Sequence, residues 1–147
     1  MLNTAPPLIL HHDYAASKQK IWTALTELDQ LRAWFFKEIP EFRAEQGFTV
    51  AFDIEAPSRT FRHQWTLTEV EPPHRITFRW SYKDIDGLGY VTFELAEIEE
   101  NRTRCTIINT TVDSFPQEYP EFKRESGIAG WTYFLKDRLK SHLEKTP

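Results

Sequence analysis

Between about Glu121 and Lys145 apolar residues recur at steps of three and four: Ile128, Trp131, Phe134, Leu135, Leu139 and Leu143. That spacing predicts a long amphipathic helix with one wide, aromatic-rich stripe. Lys136, Asp137, Lys140 and Glu144 fall on the opposite side, with Arg138 and His142 at the edge of the stripe. Glu118, Glu121 and Glu125 gather near its start and Lys136, Arg138, Lys140 and Lys145 near its end, which suits the helix dipole. A stripe this wide must be buried against another layer. Nearly everything before it has the period-two pattern of strands, so a helix laid across a curved sheet is the architecture the chain can build.

Leu8 to Tyr14 alternates as a first strand, with Leu8, Leu10, His12 and Tyr14 on one face. Ser17 is a suitable N-cap for a short helix from about Lys18 to Thr26, and Asp29 for a second one carrying Leu31, Trp34 and Phe35. From Ile39 onward the pattern reads as strands. Phe42 falls in a short one, and Phe48, Val50, Phe52 and Ile54 alternate in the next. Phe61, His63, Trp65 and Leu67 face inward in the strand that ends at Pro72-Pro73, because proline cannot supply the ladder hydrogen bond. Ile76, Phe78 and Trp80 follow, then a hairpin connection over Lys83 to Gly89, then Val91, Phe93 and Leu95. The last strand puts Cys105, Ile107 and Asn109 inward. The reading is an α+β chain: a strand, two short helices, six further strands and the long helix, so about seven strands in one antiparallel meander. No repeat or linker divides it, and residues 1–147 read as one domain.

Three segments, in this order, resemble a known family. They are Tyr14 to Leu25, then Glu69, Pro72-Pro73, Ile76 and Trp80 in an E-x-x-P-P-x-x-(L/I)…W turn, then Gly130-Trp131 with Leu135, Leu139 and Leu143. The chain resembles the SRPBCC superfamily, also called START-like or helix-grip. Within it, the chain is similar to a stand-alone C-terminal domain of the activator of heat-shock protein 90 ATPase. The resemblance implies a helix-grip fold with a largely apolar cavity between sheet and long helix, which different members use for lipids, sterols, polyketides or other hydrophobic ligands. It covers nearly all 147 residues, which leaves no room in them for the separate N-terminal domain that supplies much of the chaperone contact in the full-length eukaryotic activator.

The net charge of −4, with cations scattered rather than striped, gives no electrostatic footprint for nucleic acid. No apolar run approaches the roughly 20 residues that span a bilayer, and the N-terminus lacks the pattern of a signal peptide. One cysteine, Cys105, leaves no intrachain disulfide, so a reducing, cytoplasmic setting is expected. The histidines show no metal-ligand spacing, and neither a G-x-S-x-G elbow nor a glycine-rich phosphate loop occurs; metal and cofactor are not expected.

Aromatic residues make up 14% of the chain, and parity turns many of them inward. The candidate ligand-binding set is Trp34, Phe52, Phe61, His63, Trp65, Phe78, Trp80, Phe93, Asn109, Trp131, Phe134 and Leu135. These residues either fill a packed core or wall an apolar pocket with a few polar groups. His63, between Phe61 and Trp65, is either a satisfied structural histidine or the polar end of such a pocket; His12 and Tyr14 are weaker candidates of the same kind. Three functions follow from this reading. The first is non-enzymatic binding of a small hydrophobic or aromatic ligand. The second is a protein-interaction module of the chaperone-accessory type, linked to stress response. The third is cyclase- or isomerase-like catalysis resting on His63.

Overall fold

The computed structural model describes all residues, 1–147. Six strands form one antiparallel sheet: β1 (Leu8–Tyr14), β2 (Thr49–Glu55), β3 (Thr60–Glu71), β4 (Arg75–Tyr82), β5 (Ile85–Glu99) and β6 (Arg102–Asp113). Their order is β1-β6-β5-β4-β3-β2, so the meander is consecutive and β1 closes it by pairing with β6, Leu8 opposite Asn109. Two short helices, α1 (Lys18–Thr26) and α2 (Leu28–Trp34), lie between β1 and β2. The α+β helix-grip expectation is met, with six strands where about seven were expected. The segment around Phe42 is not a strand: it runs as extended coil into a turn at Gly47 (φ 89°), yet Phe42 is buried against Phe48 and Phe78.

The strand parity is that of the alternation. Phe61, His63, Trp65 and Leu67 of β3 are buried, as are Ile76, Phe78 and Trp80 of β4, Val91, Phe93 and Leu95 of β5, and Cys105 and Ile107 of β6. Burial drives the Cys105 thiol up to about 12, so it is filler and not a nucleophile. The hairpin between β4 and β5 is tighter than expected. It turns at Lys83-Asp84, with Tyr82 opposite Ile85, and Asp84 takes the left-handed backbone (φ 62°). Asp86-Gly87 therefore belongs to β5. Ser17 caps α1 by accepting the Lys20 N–H at 3.1 Å. Asp29 is not a cap: α2 starts at Leu28, with Asp29 inside its first turn near the positive end of the dipole.

The C-terminal element begins later than expected. A 3₁₀ turn (Pro120–Phe122) precedes helix α3, which runs over 124–145 in three parts: α-helical Arg124–Thr132, π-helical Tyr133–Leu139 and α-helical Lys140–Lys145. Its buried residues are Trp131, Leu135, Leu139 and Leu143, a strict four-residue row, while Ile128 is exposed and faces away from the sheet. On an ideal α-helix a four-residue row drifts by about 40° per step around the axis. The wider π turn rotates less per residue and brings the row back, so all four side chains reach the sheet.

The π segment has a partner in β1. Tyr14 Oη donates to the Leu135 carbonyl at 2.6 Å in a buried contact. Burial raises the Tyr14 pKa, so the hydroxyl keeps its proton for that bond. Lys20 Nζ donates to the carbonyls of Leu143 (2.8 Å) and Thr146 (2.7 Å), satisfying the helix C-terminus. Arg138 in turn donates to the carbonyls of Ala33 (2.7 Å) and Trp34 (3.3 Å) at the end of α2. The C-terminal half of α3 is thus clamped to β1, α1 and α2, whereas Arg124–Thr132 buries only Trp131. A Tyr14→Phe variant leaves the Leu135 carbonyl buried without its partner. Urea denaturation is expected to show a loss of about 1 to 2 kcal/mol, with an unchanged m-value.

Candidate functional site

Because the first half of α3 is not packed down, a space remains between it and β2, β3 and β4. The larger chamber has a volume of about 300 Å³, and its walls include Phe36, Ile54, Phe61, His63, Trp80, Tyr82, Phe122, Gly127, Gly130, Trp131 and Phe134. A smaller chamber of about 140 Å³ adjoins it, sharing Trp80, Tyr82, Glu121, Phe122, Gly127 and Trp131 and adding Met1, Val91, Asn109 and Phe115. A larger depression on the outer sheet face is lined by Arg62, Gln64, Thr66, Arg79 and Ser81, and its polar walls give an apolar molecule nothing to bury.

The expected site residues divide into two groups. Phe61, His63, Trp80, Trp131 and Phe134 line the larger chamber, and Asn109 lines the smaller one. Trp34, Phe52, Trp65, Phe78, Phe93 and Leu135 face inward but are core, each at most 4% exposed, and line neither chamber. What separates the groups is Phe35-Phe36 at the end of α2. The Phe35 ring packs on Trp34, Trp65, Trp131 and Phe134 at centroid distances of 4.9 to 5.8 Å, and plugs the middle of the helix-sheet space. Phe36 packs on Phe52, His63 and Phe134 and forms the chamber's inner wall.

Sequence reasoning did not assign Phe36, Ile54, Phe122, Gly127 or Gly130 to the site. The glycines carried a usable signal: two glycines inside a predicted helix are each unfavourable by about 1 kcal/mol relative to alanine, which calls for a reason. A Cβ on Gly130 would meet nothing within 4 Å, so the missing side chain leaves open space.

His63 is the buried polar group of the larger chamber. Its ring stacks on Phe52 (5.3 Å, 14°) and meets Tyr82 edge-on (4.7 Å, 76°). Nδ1 lies 3.2 Å from the Phe61 carbonyl oxygen. Burial pushes the imidazole pKa down to about 4, against partial opposition from the Phe61 hydrogen bond and the Asp53 charge. Tyr82 Oη accepts a hydrogen bond from Trp80 Nε1 at 2.9 Å, and burial raises its pKa, so it stays a neutral hydroxyl. At the mouth, the Glu121 carboxylate accepts from Ser58 Oγ (2.6 Å) and Ser58 N (3.2 Å), tying the β2–β3 turn to the approach of α3. The Ser58 hydrogen bonds hold the Glu121 carboxyl below its usual range. His12 and Tyr14 lie apart from both chambers, stacked edge-on at 4.9 Å where β1 meets the second half of α3.

Comparison with known proteins places this geometry in context. The family model described as "Activator of Hsp90 ATPase homolog 1-like protein" matches residues 15–144. No curated protein matches significantly. Among solved structures, protein CV1439 from Chromobacterium violaceum superposes with a TM-score of 0.77 at 18% identity, covering 95% of this chain and 98% of that one. PFC0360w, described as an HSP90 activator from Plasmodium falciparum, gives 0.76 at 18% identity, covering 95% and 97%. DynU16, a putative protein in the dynemicin biosynthetic locus, gives 0.72 at 20% identity, covering 96% of this chain and 48% of that one. At these identities the likeness establishes a common fold. No helix of the chain is long and apolar enough to cross a membrane.

The depressed His63 pKa ties stability to pH. The unfolded imidazole titrates near 6.5 and the folded one near 4, so between these values the unfolded chain binds the extra proton. The contribution is complete above pH 6.5 and is lost as pH falls toward 4, amounting to about 3 kcal/mol at most. Denaturation of wild type and His63→Phe, measured from pH 7 to pH 4, is expected to show wild type losing stability relative to the variant as pH falls; parallel curves would contradict the assignment.

Proposed function

We propose that the chain, which belongs to the activator of Hsp90 ATPase homolog 1-like family, binds a small hydrophobic or aromatic molecule, without catalysis, beneath the first half of α3. The observation that carries this reading is an aromatic-walled chamber of about 300 Å³ lined by two helix glycines, with open space where a Gly130 side chain would stand. That volume is at the small end of ligand sites, which suits one or two fused rings better than a sterol or an acyl chain. The walls supply ring faces and edges from Phe36, Phe61, Trp80, Trp131 and Phe134, and aromatic pairs contribute beyond their burial when offset or edge-on. His63 and Tyr82 add polar groups against an otherwise apolar lining, the usual composition of a site that orients its ligand.

A second reading, a protein-interaction module of the chaperone-accessory type, is supported by the family match and by exposed Ile9, Ile98 and Val112 on β1, β5 and β6. A pull-down that recovered neither an Hsp90-type chaperone nor another stoichiometric partner would count against it.

The first reading is tested by titrating the protein with naphthalene, indole and laurate. Trp80 and Trp131 fluorescence and the amide resonances of Gly127 and Gly130 are the readouts. The ring compounds are expected to perturb both and laurate to perturb neither. Gly130→Leu fills the chamber and is expected to abolish the response. Gly130→Ala is expected to fold with up to about 1 kcal/mol more stability, since helix propensity improves and its Cβ meets no neighbour. Absence of any shift at Gly127, Gly130, Trp80 and Trp131 with every probe would sink the reading.

A further inference from the structure

We infer that the chamber selects neutral aromatic molecules bearing a hydroxyl group, such as phenols and naphthols, over both unsubstituted aromatics and aromatic carboxylates. The inference rests on the cavity reading above and deepens it, because it follows from the hydrogen-bonding state of the polar groups in that cavity. A backbone carbonyl only accepts, so the contact between His63 Nδ1 and the Phe61 oxygen puts the ring proton on Nδ1. Nε2 is then a bare lone pair. Trp65 Nε1 is the only buried side-chain nitrogen or oxygen sealed off without a partner, so Nε2, which has no hydrogen bond within the protein, is reachable from the chamber. Its depressed pKa keeps the ring neutral throughout the physiological range.

The other polar group has the opposite character. Tyr82 Oη uses one lone pair to accept from Trp80 Nε1, and its own proton has no acceptor in the protein. Tyr82 lines both chambers and its ring meets that of His63 at 4.7 Å. The larger chamber is therefore lined by one group with an unused acceptor and one with an unused donor, on rings that touch edge-on. A ligand hydroxyl matches both, donating to Nε2 and accepting from Tyr82.

A carboxylate matches only one half: it can accept from Tyr82 but has no proton for Nε2, no cation lines the larger chamber, Lys123 lining only the smaller one, and the Glu121 carboxylate stands at the mouth. Burying an unpaired carboxylate there is strongly unfavourable. A methyl ether keeps the shape but cannot donate, which leaves the Nε2 lone pair unmet.

The test compares four probes of one ring system on the full chain: 2-naphthol, 2-methoxynaphthalene, naphthalene and 2-naphthoate, by Trp fluorescence and calorimetry at pH 7.5. The expected order is 2-naphthol first, roughly tenfold or more tighter than naphthalene or the ether, with naphthoate weakest. His63→Phe keeps a ring on Phe52 and is expected to erase the advantage of 2-naphthol over the ether. Nitrogen NMR of His63 provides a readout independent of that variant's folding. The proton is expected on Nδ1, with the Nε2 resonance shifting on addition of 2-naphthol and not of the ether. If none of the four binds, the cavity reading itself fails. If the ether or naphthalene binds as tightly as 2-naphthol, if naphthoate binds best, or if Nε2 carries the proton, the cavity reading stands and the selectivity inference is overturned.

Discussion

The structure depends on how unevenly its long helix is packed against the rest of the chain. In the second half of α3, Leu135, Leu139 and Leu143 are buried, two side chains from other elements reach its carbonyls, Tyr14 at Leu135 and Lys20 at the helix C-terminus, and its own Arg138 reaches the end of α2. Each of these bonds satisfies a backbone carbonyl that would otherwise be left over at a helix end or in a π turn. In the first half only Trp131 is buried, Arg124 tethers the start of the helix to the Pro6 carbonyl (2.7 Å), and Gly130, whose Cβ would meet nothing within 4 Å, leaves the gap unfilled. A helix that buried large side chains over its whole length would leave no chamber.

Between clamp and chamber lies the aromatic plug. Phe35 fills the middle of the space and turns Trp34, Trp65 and Phe93 into core, and Phe36 ends that core with a wall. Packed interiors leave little room for voids, so a cavity of this size persists only where rigid groups frame it. Here the frame is the sheet on one side, Phe36 on the second and the latched Glu121–Phe122 turn on the third.

Much of this was legible in the sequence, because period-two alternation has a single buried face. It put Phe61, His63 and Trp80 on the concave side of the sheet, and even Asn109, near the end of the last strand, falls on the face that parity assigns to it. The amphipathic stretch likewise located α3. What alternation cannot tell is whether an inward residue meets another side chain or a void. That depends on residues from a different element, Phe35 and Phe36, whose positions are set by the tertiary placement of α2. Ile128 shows the limit on the helix: it fits a stripe of threes and fours, but the π turn selects the strict four-residue row and leaves it outside. Phe42 reads as a strand residue because it is apolar and precedes a turn at Gly47, but a coil segment can bury a side chain as well as a strand can.

The separation of clamp from chamber bears on what such a fold can bind. Residues that hold α3 down do not line the cavity, and several that line it, such as Ile54, Gly127 and Gly130, are only partly buried. Changes at those positions alter shape and polarity without removing the bonds on which the helix depends, since sites that share no partner act nearly independently. His63 and Tyr82 are the exceptions. Each is joined to its neighbours by aromatic packing and a hydrogen bond, so the polar end of the chamber is fixed by the same packing that supports β3 and β4. The rigid sheet thus sets which chemical group a ligand must present, and the loosely packed half of the helix sets how large that ligand can be.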